Sequence, residues 1–408
     1  MYRSIESIGG LGLRGVETTV TIAESIGIGF GLAVGLGALA LELRYRKRPL
    51  KQLELTRGTW QIEVDDPRCY RLVGELELIN HSPKLAIVIP ELSAEVKLFS
   101  KGSLEGITSS TKVIPLHTDA EPREDGYWFA YLMKEGKTTR LKIAIEISGE
   151  DLSQLASAWV QIRYIAYGSI GSHPQVQNIV LPLRYPDISA DPKWLPKERS
   201  QVLPIKTHLL CHQDDIFEII DRYVKPYAQP GDILTLGETP VAIMQGRWKH
   251  PEEMKLGWVA SRFCFYFLQT ASISTAYGLQ SLVDEVGPTR VVLAFLGGAI
   301  AKILGKPGAF YQLAGEQARL IDDITGTLPP YDQFTVLGPH RSQDVVDDIK
   351  QKTGLSAAIV DVNDLKAVKI LAATSDLSSD LLEAALRSNP AGNADEQTPL
   401  VLIRPTDR

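Results

Sequence analysis

The chain has 408 residues, of which 44% are hydrophobic. This is enough for two or three ordinary domains and excludes a low-complexity or disordered protein. The formal charge of −6 argues against a nucleic-acid partner, because general nucleic-acid binders usually carry a net basic face. Cys69, Cys211 and Cys264 are widely spaced and form no CxxC pair, which is typical of a protein in a reducing compartment.

Residues 25–41 are 17 consecutive uncharged residues. As a helix they would extend roughly 25 Å at about 1.5 Å per residue, which is at the short end for a membrane span. The residues on either side lengthen the run, so we predict a single transmembrane helix at 18–43. The alternative is a buried glycine-rich helix of a soluble protein.

Basic residues follow this apolar run, whereas a secretory signal peptide would carry them before it. They are Arg44, Arg46, Lys47, Arg48, Lys51 and Arg57, and we predict a juxtamembrane linker at 44–58. By the positive-inside rule, the expected product is a single-pass membrane protein that contacts lipid through this helix, with its C-terminal domains in the cytoplasm. The spacing of Gly27, Gly31 and Gly35 would also suit helix–helix contact in a homo-oligomer, although glycine is common in such helices.

Between residues 59 and 186 the sequence changes to short runs in which apolar and polar residues alternate, for example at 92–98 and 141–147. Turn-forming residues separate these runs. The pattern predicts an all-β domain of seven or eight strands, most simply an immunoglobulin-like sandwich. No catalytic constellation stands out there, and His81 and His117 are too isolated to suggest a metal site. We expect this domain to bind or to act as a spacer.

A charged, proline-bearing segment at 187–201 predicts a linker, and residues 202–408 alternate strands with helices, as α/β domains do. Asp215 to Glu218 resembles a capping box at the start of a helix. Residues 291–301 are eleven uncharged residues, too few to span a membrane, so we predict a core helix. The predicted fold class is multidomain: one N-terminal transmembrane helix, an immunoglobulin-like sandwich and an α/β domain.

The stretch at 357–364 reads AAIVDVND, a short buried strand followed at once by polar side chains. Ligands of open α/β sheets bind outside the carboxyl ends of the strands, and hard oxygen donors suit Mg²⁺ or Mn²⁺. Asp361, Asn363 and Asp364 are therefore the predicted metal ligands. The alternative is an Asx-rich turn, because Asp and Asn often satisfy their own backbone after a strand.

Several short motifs after residue 201 occur in a familiar order. They are Leu203-Pro204-Ile205-Lys206-Thr207, Asp214-Asp215, Gly231-Asp232-Ile233-Leu234, and Glu238-Thr239-Pro240-Val241 followed by Gly246-Arg247. In this order they resemble the opening of the coenzyme F-420 gamma-glutamyl ligase family. The resemblance runs from about Val202 to the C-terminus and does not extend to the sandwich or the N-terminal helix.

The resemblance implies a ligase-like domain in which GTP or ATP activates a small-molecule carboxylate, and the amine of an amino acid then displaces phosphate to form an amide. It implies that Pro204, Ile205, Lys206 and Thr207 lie against the nucleotide, with Glu238 and Thr239 close by. A lysine can contact phosphate as a point charge, although Lys206 could equally be a solvated surface residue. Asp361 is similar to a metal-binding Asp of the family, but Val362 replaces the Thr that follows it.

Two departures from the family concern charge. Ile243 stands where a lysine is usual, and the early metal-binding Asp has no convincing copy, with Asp284 or the Asp322-Asp323 pair as the nearest substitutes. Two polar loops, at 315–332 and 389–398, are also dense in residues typical of sites. The catalytic residues stay unknown at this stage. Two interpretations therefore compete: a membrane-anchored, nucleotide- and metal-dependent ligase, and a catalytically inactive ligase-like binding or scaffold protein at the cytoplasmic membrane face.

Overall fold

The computed structural model describes residues 34–40, 52–121, 123, 127–168, 171–188, 192–268, 271–306, 308–321, 328–362, 367–392 and 396–406. Residues 34–40 are helical, and the rest of the predicted transmembrane helix and the linker up to residue 51 lie outside these ranges. Within them, no single helix is both long and apolar enough to cross a membrane. Two consecutive helices, Ala276–Val286 and Pro288–Ile303, reach that length together but are bent by 113°. The transmembrane helix at 18–43 stays a prediction.

Residues 53–408 form one compact unit. Its first part is a sandwich of two five-stranded sheets, one in the order β1-β3-β8-β6 with β2 on β3, the other in the order β10-β9-β4-β7 with β5 on β9. The strands are β1 (Leu53–Leu55), β2 (Thr59–Asp66), β3 (Cys69–Asn80), β4 (Ile87–Ile89), β5 (Leu92–Ser100), β6 (Thr108–Leu116), β7 (Tyr131–Met133), β8 (Thr138–Ser148), β9 (Leu155–Gly168) and β10 (Gly171–Pro182).

The predicted all-β sandwich is confirmed, but with ten strands in the described residues where the sequence predicted seven or eight. Three of the ten, β1, β4 and β7, have only three residues each, too few for an alternating pattern to be recognised. β1 also lies inside the segment predicted as linker and pairs with β3. The longer strands carry the pattern as predicted, with Leu72, Leu76 and Leu78 fully buried along β3.

His117 lies at the edge of the sandwich core, buried rather than solvated. Its Nδ1 is 2.8 Å from the Thr139 hydroxyl, and its ring is stacked on Tyr131 with 3.6 Å between the ring centroids. Burial lowers the pKa of His117 to about 4, so the imidazole is neutral at pH 7. These aromatic and hydroxyl neighbours make it a packing residue of the sandwich.

The second part is built on a six-stranded mixed sheet in the order β11-β12-β18-β13-β16-β17. Its strands are β11 (Leu195–Pro196), β12 (Ser200–Ile205), β13 (Ile233–Gly237), β16 (Ser356–Val362), β17 (Val368–Ala373) and β18 (Leu400–Pro405), and a separate two-stranded ribbon consists of β14 (Trp248–Lys249) and β15 (Thr335–Val336). The described helices are α1 (Ile216–Ile219), α2 (Glu238–Met244), α3 (Trp258–Phe263), α4 (Ala276–Val286), α5 (Pro288–Ile303), α6 (Ala309–Ala314), α7 (Ser342–Thr353) and α8 (Ser379–Leu386).

Alternate residues of the central strands face opposite layers of this α/β domain. Leu236 and Ile359 pack in one cluster with residues of α1 and α7, whereas Val360 and Ile403 pack in another with residues of α8. As predicted, Asp215 caps α1, because its carboxylate accepts hydrogen bonds from the backbone N–H groups of Phe217 and Glu218. The mixed α/β class is confirmed. The predicted boundaries at 186/187 and 201/202 stay predictions.

Residues 254–321, which we call the helical region, contain α3 to α6. The core helix predicted at 291–301 lies in this region. The run at 291–301 forms most of α5, but within α5 only Val291 and Ala294 are buried. The side chains of Leu293, Ile300 and Ile303 are 63%, 60% and 85% exposed. The run is therefore not a core helix, because only one of its two apolar faces has a partner layer within the described residues.

The sandwich and the α/β domain meet at a seam centred on Arg57. The Arg57 guanidinium donates hydrogen bonds of 3.0 Å to the carbonyl oxygens of Gly246 and Trp248, and lies 3.9 Å from the Trp248 ring centroid. Burial lowers the pKa of this guanidinium. Trp159 of β9 packs in the same cluster as Trp248 and Phe334. The two parts thus share a buried interface across the seam.

Candidate functional site

The register of the α/β sheet gathers the ends of three strands at one edge. β12 and β13 are both antiparallel to β18, and β13 is parallel to β16, so β12, β13 and β16 run in the same direction. Ile205, the last residue of β12, is opposite Leu400 of β18, which is opposite Leu236, and Gly237 is opposite Val360. The residues that follow these strands therefore share the carboxyl edge of the sheet, where α/β ligand sites lie.

The four residues predicted to lie against a nucleotide straddle the end of β12. Pro204 and Ile205 are its last two residues, and Lys206 and Thr207 follow directly. Lys206 is exposed at the edge, whereas Thr207 is only 2% exposed. The Thr207 hydroxyl donates to the His208 carbonyl at 2.8 Å and its backbone N–H donates to the Gln397 carbonyl at 3.0 Å. Of these residues, Lys206 offers the charged donor that a phosphate would need.

A buried hydrogen-bond chain fixes the loop after Lys206. His208 Nε2 is 2.9 Å from a carboxylate oxygen of Asp214, and His208 Nδ1 is 2.7 Å from the Tyr223 hydroxyl. Because an ionised carboxylate only accepts, a neutral His208 carries its proton on Nε2 and accepts from Tyr223 on Nδ1. Burial raises the pKa of Tyr223, which keeps its hydroxyl protonated. Tyr223 is fully buried, so the chain positions the loop and does not touch a ligand.

Two carboxylates lie at the ends of neighbouring strands. Glu238 begins α2 immediately after β13 and is 8% exposed, followed by Thr239, which is half-buried. Asp361 is the second-last residue of β16 and is half-buried. β13 and β16 are adjacent parallel strands, and Gly237, just before Glu238, is opposite Val360, just before Asp361. The two acids therefore occupy the next positions along neighbouring segments of the chain. Carboxylates are hard oxygen donors of the kind that bind a divalent cation such as Mg²⁺ or Mn²⁺.

The other predicted metal ligands, Asn363 and Asp364, lie outside the described residues, as do the suggested substitutes Asp322 and Asp323. Among the residues that the structure does describe, no group of three or more His, Cys, Asp and Glu side chains is close enough to hold a metal ion. Asp284 does not reach this edge as a substitute; it is on α4, where its carboxylate lies 3.4 Å from Lys249 Nζ and accepts from Gln280.

Lys206 and Asp361 lie at opposite ends of the edge. β12 and β16 are separated by β18 and β13, so three strand spacings put their backbones about 14 Å apart. A single phosphate cannot bridge that separation directly. The arrangement fits an extended ligand, with the cation end at Glu238 and Asp361 and a second anionic group near Lys206.

One surface cleft of the α/β domain does not coincide with this edge. It has a volume of about 710 Å³ and is lined by Gln245, Arg247, His340, Arg341, Asp344, Val345, Asp347 and Asp348, between the end of α2 and the start of α7. None of the predicted nucleotide or metal residues lines it. Arg247, part of the predicted motif, is held by the Gly338 carbonyl at 2.7 Å and by Glu285 at 3.0 Å. The cleft therefore has cations that are already engaged by protein groups.

Sequence reasoning missed His208 and Tyr223. Asp214 was part of the Asp214-Asp215 motif, but the spacing of His208, Asp214 and Tyr223 does not predict that they contact one another. The only local signal was that two acids, Asp214 and Asp215, follow a histidine closely in the loop between a strand and a helix. Asp215 is the helix cap. The Asp214 carboxylate instead contacts His208 and also accepts a hydrogen bond from the Cys211 backbone N–H at 2.7 Å.

Comparison with known families places one match on the first part of the compact unit. Residues 54–185 match the family described as F420-0:gamma-glutamyl ligase, N-terminal Ig-like domain. The match supports the ligase family named from the sequence, but it falls on the sandwich, where we had claimed no resemblance. It does not test the resemblance claimed for residues 202–408, which stays a prediction. A comparison with curated proteins gives no significant match.

Solved structures similar to this chain match about a third of it. They include the GAE domain of GGA2p from Saccharomyces cerevisiae, with 11% identity over 33% of this chain and 94% of that chain and a TM-score of 0.20. The FixG-related protein from Vibrio parahaemolyticus has 8% identity over 33% of this chain and 97% of that chain, with a TM-score of 0.18. Such scores are too low to support any inference about this chain.

Proposed function

We propose that the α/β domain is a ligase-like domain that binds a nucleoside triphosphate, GTP or ATP, with Mg²⁺ or Mn²⁺ at the carboxyl edge of its sheet. There it would form a gamma-glutamyl-type amide between a small-molecule carboxylate and an amino acid. The observation that carries the proposal is the register: it brings Lys206, Glu238 and Asp361, from three separate motifs, to one edge. The family match of residues 54–185 supports it independently, since that sandwich is named as the N-terminal domain of a ligase.

In this proposal each described side chain has a physical task. Glu238 and Asp361 supply anionic oxygens for the cation, which would neutralise charge on the phosphates and polarise them. Lys206 supplies a point charge to a second anionic group, and the His208–Asp214–Tyr223 chain keeps the loop that bears Lys206 in place. The cation also relieves repulsion between the two neighbouring carboxylates.

The second candidate function is a catalytically inactive ligase-like binding or scaffold protein. One observation favours it: Ile243, where the family usually has a lysine, is 6% exposed and packs with Trp248 and Phe334. A lysine there would be buried against aromatic rings, so this chain has no equivalent phosphate-facing cation at that position. Phosphoryl chemistry depends mainly on positioned charge, and the loss would lower activity more than binding.

Calorimetry of the full chain with GTP and with ATP, with and without Mn²⁺, tests the proposal. We expect nucleotide binding that depends on Mn²⁺. Lys206→Met should weaken nucleotide binding about tenfold, because one charge-assisted contact is lost, while metal binding stays. Lys225→Met is the matched control, since Lys225 is an exposed lysine that pairs with Asp221 of the same helical segment, away from this edge.

Asp361→Asn should reduce Mn²⁺ binding and remove the metal-dependent rise in thermal midpoint. That rise corresponds to RT ln(1 + [L]/Kd), about 2.7 kcal/mol at a hundredfold excess over Kd. Without metal the variant should unfold at nearly the wild-type midpoint. If neither nucleotide binds and Mn²⁺ changes no midpoint, the proposal fails. If nucleotide binds but no phosphate is released with glutamate present, the binding-protein interpretation holds.

A further inference from the structure

The helical region has an apolar surface on α5 that no described residue covers. Leu293, Leu296, Ile300 and Ile303 follow one another at intervals of three, four and three residues, so they form one stripe along the helix. Their side chains are 63%, 52%, 60% and 85% exposed, and Leu304 continues the stripe at 72%. The buried face of α5, at Val291 and Ala294, is on roughly the opposite side at about 100° per residue.

Exposed aromatic residues continue the apolar surface beyond α5. Trp258 is 68% exposed, Phe265 81% and Tyr266 72%, and Leu268 next to them is 79% exposed. They are joined to α5 through Phe295, whose ring centroid is 4.6 Å from that of Phe263 and 5.4 Å from that of Tyr266. We call Trp258, Phe265, Tyr266, Leu268, Leu293, Leu296, Ile300, Ile303 and Leu304 the apolar patch. Monomeric soluble proteins rarely leave so many large apolar side chains exposed in one place.

Basic residues outnumber acidic residues in the helical region. Residues 254–321 contain six basic residues, Lys255, Arg262, Arg290, Lys302, Lys306 and Arg319, in a chain whose net charge is −6. Of their three acidic residues, Glu316 is exposed, and the other two face protein cations outside the region: Asp284 is 3.4 Å from Lys249, and Glu285 is 3.0 Å from Arg247. All six basic residues are exposed. An apolar surface with amphipathic aromatic residues and a basic rim is the composition of helices that lie in the interface of an anionic bilayer.

We propose that the apolar patch is a membrane-docking surface that inserts into the headgroup region of an anionic lipid bilayer. α5 lies in the plane of the interface with its stripe of leucine and isoleucine toward the acyl chains. Trp258 and Tyr266 sit at headgroup depth, and Lys302 and Lys306 contact anionic headgroups. α4 and α5 are bent by 113° to each other, which suits a surface contact and does not suit a span. This contact is separate from any contribution of residues 18–43.

Environment-sensitive fluorophores on two matched leucines test the proposal in the full chain. Leu296 in the apolar patch and Leu132 on β7 of the sandwich are both 52% exposed. Each is replaced by cysteine in a Cys69→Ser background, because Cys211 and Cys264 are buried. Vesicles of phosphatidylcholine with about 30% phosphatidylglycerol supply an anionic surface. A second set carries bromine on the upper acyl chain as a contact quencher.

We expect the probe at Leu296→Cys to shift to shorter wavelength and to be quenched by the brominated lipid, while the probe at Leu132→Cys stays water-like. An anchor elsewhere in the chain would bring both probes equally near the surface, so the difference between them isolates the patch. The double variant Lys302→Glu with Lys306→Glu should weaken binding to the phosphatidylglycerol vesicles. The apparent Kd reported by the probe at Leu296→Cys should rise about fivefold or more for each substituted lysine. Circular dichroism would verify that each variant is folded.

Three outcomes overturn the proposal. Equal responses at both probes would mean that the patch does not insert. A blue shift at Leu296→Cys without vesicles that grows with protein concentration would assign the patch to a second copy of this chain. A blue shift at Leu296→Cys without vesicles that is the same at every protein concentration would mean that another segment of the same chain covers the patch.

Discussion

The sandwich and the helical region are both rich in apolar residues, yet they use them differently. In the sandwich, alternation gives each strand one apolar face, and the second sheet covers it, so Leu72, Leu76 and Leu78 are fully buried. In the helical region, α5 has apolar side chains on two opposite faces, and the described part of the chain covers only the one with Val291 and Ala294. The difference shows that the number of apolar residues in a segment does not predict burial. The number of faces and of partner layers does.

The largest effect is expected in the sandwich core, where the contrast can be measured directly. Leu76→Ala should lower the free energy of unfolding by about 3 kcal/mol, because it removes buried methyl groups and leaves a cavity that β8 cannot fill. Leu132→Ala, at an exposed position of the same sandwich, is the control and should cost far less. Denaturant titration measures both. Similar losses at the two positions would mean that the sandwich core is not packed as described.

The seam is where the sandwich touches the rest of the compact unit. Arg57→Met should lower the free energy of unfolding by about 2 kcal/mol, because the part-buried carbonyl oxygens of Gly246 and Trp248 lose their donor. Arg184→Met, at an exposed arginine just after β10, is the control and should be nearly neutral. Thermal unfolding followed by tryptophan fluorescence measures both. A wild-type midpoint for Arg57→Met would show that the seam does not couple the two parts.

His117 adds a pH dependence to the sandwich side of the comparison. Its pKa is lowered to about 4 by burial, and next by Lys137, with Asp119 acting in the opposite direction. Between about pH 6.5 and pH 4 the unfolded chain binds more protons at this residue than the folded chain. Stability should therefore fall as the pH falls through that window.

The measurement is the unfolding midpoint of wild type and His117→Gln at pH 7 and pH 5. The variant should lose less stability than wild type between the two. His212, whose pKa burial also lowers to about 4, stays in both proteins and contributes equally. The helical region at 254–321 has no histidine, so it adds no histidine-dependent change in stability between pH 7 and pH 5. Equal losses in the two proteins would mean that His117 is solvated.

The smallest effect is expected on the exposed stripe of α5. Ile300→Ser should change the free energy of unfolding by no more than about 0.5 kcal/mol, because the side chain is 60% exposed and makes few contacts. Ile300→Ser replaces an apolar side chain by a polar one, which Leu132→Ala does not, yet the free energy of unfolding should hardly change. A loss of more than about 2 kcal/mol would mean that α5 is covered on both faces and behaves as a core helix after all.

Local patterns predicted the sandwich, whereas the site residues stay a prediction. The period-two runs predicted the long strands, and the Asp215 cap predicted the start of α1. The strand-end rule pointed to Asp361, and the family resemblance pointed to Lys206 and Glu238, whose backbone positions the register puts at the same edge. What could not be predicted depends on contacts between distant residues. Arg57 contacts Gly246 across 189 positions, and only the packed structure shows that α5 has a second apolar face left exposed by the described residues.

The position of β18 has a consequence for how the protein is made. This strand, Leu400–Pro405, comes after every other strand of the α/β sheet in sequence, yet it lies inside the sheet between β12 and β13. A ribosome makes β12 and β13 first, so they leave the exit tunnel with no strand between them. Until β18 has emerged, each has an open hydrogen-bonding edge that other nascent chains could pair with. The sandwich needs no such late strand and can close much earlier, so a nascent chain stalled before β18 would carry one finished part and one exposed part.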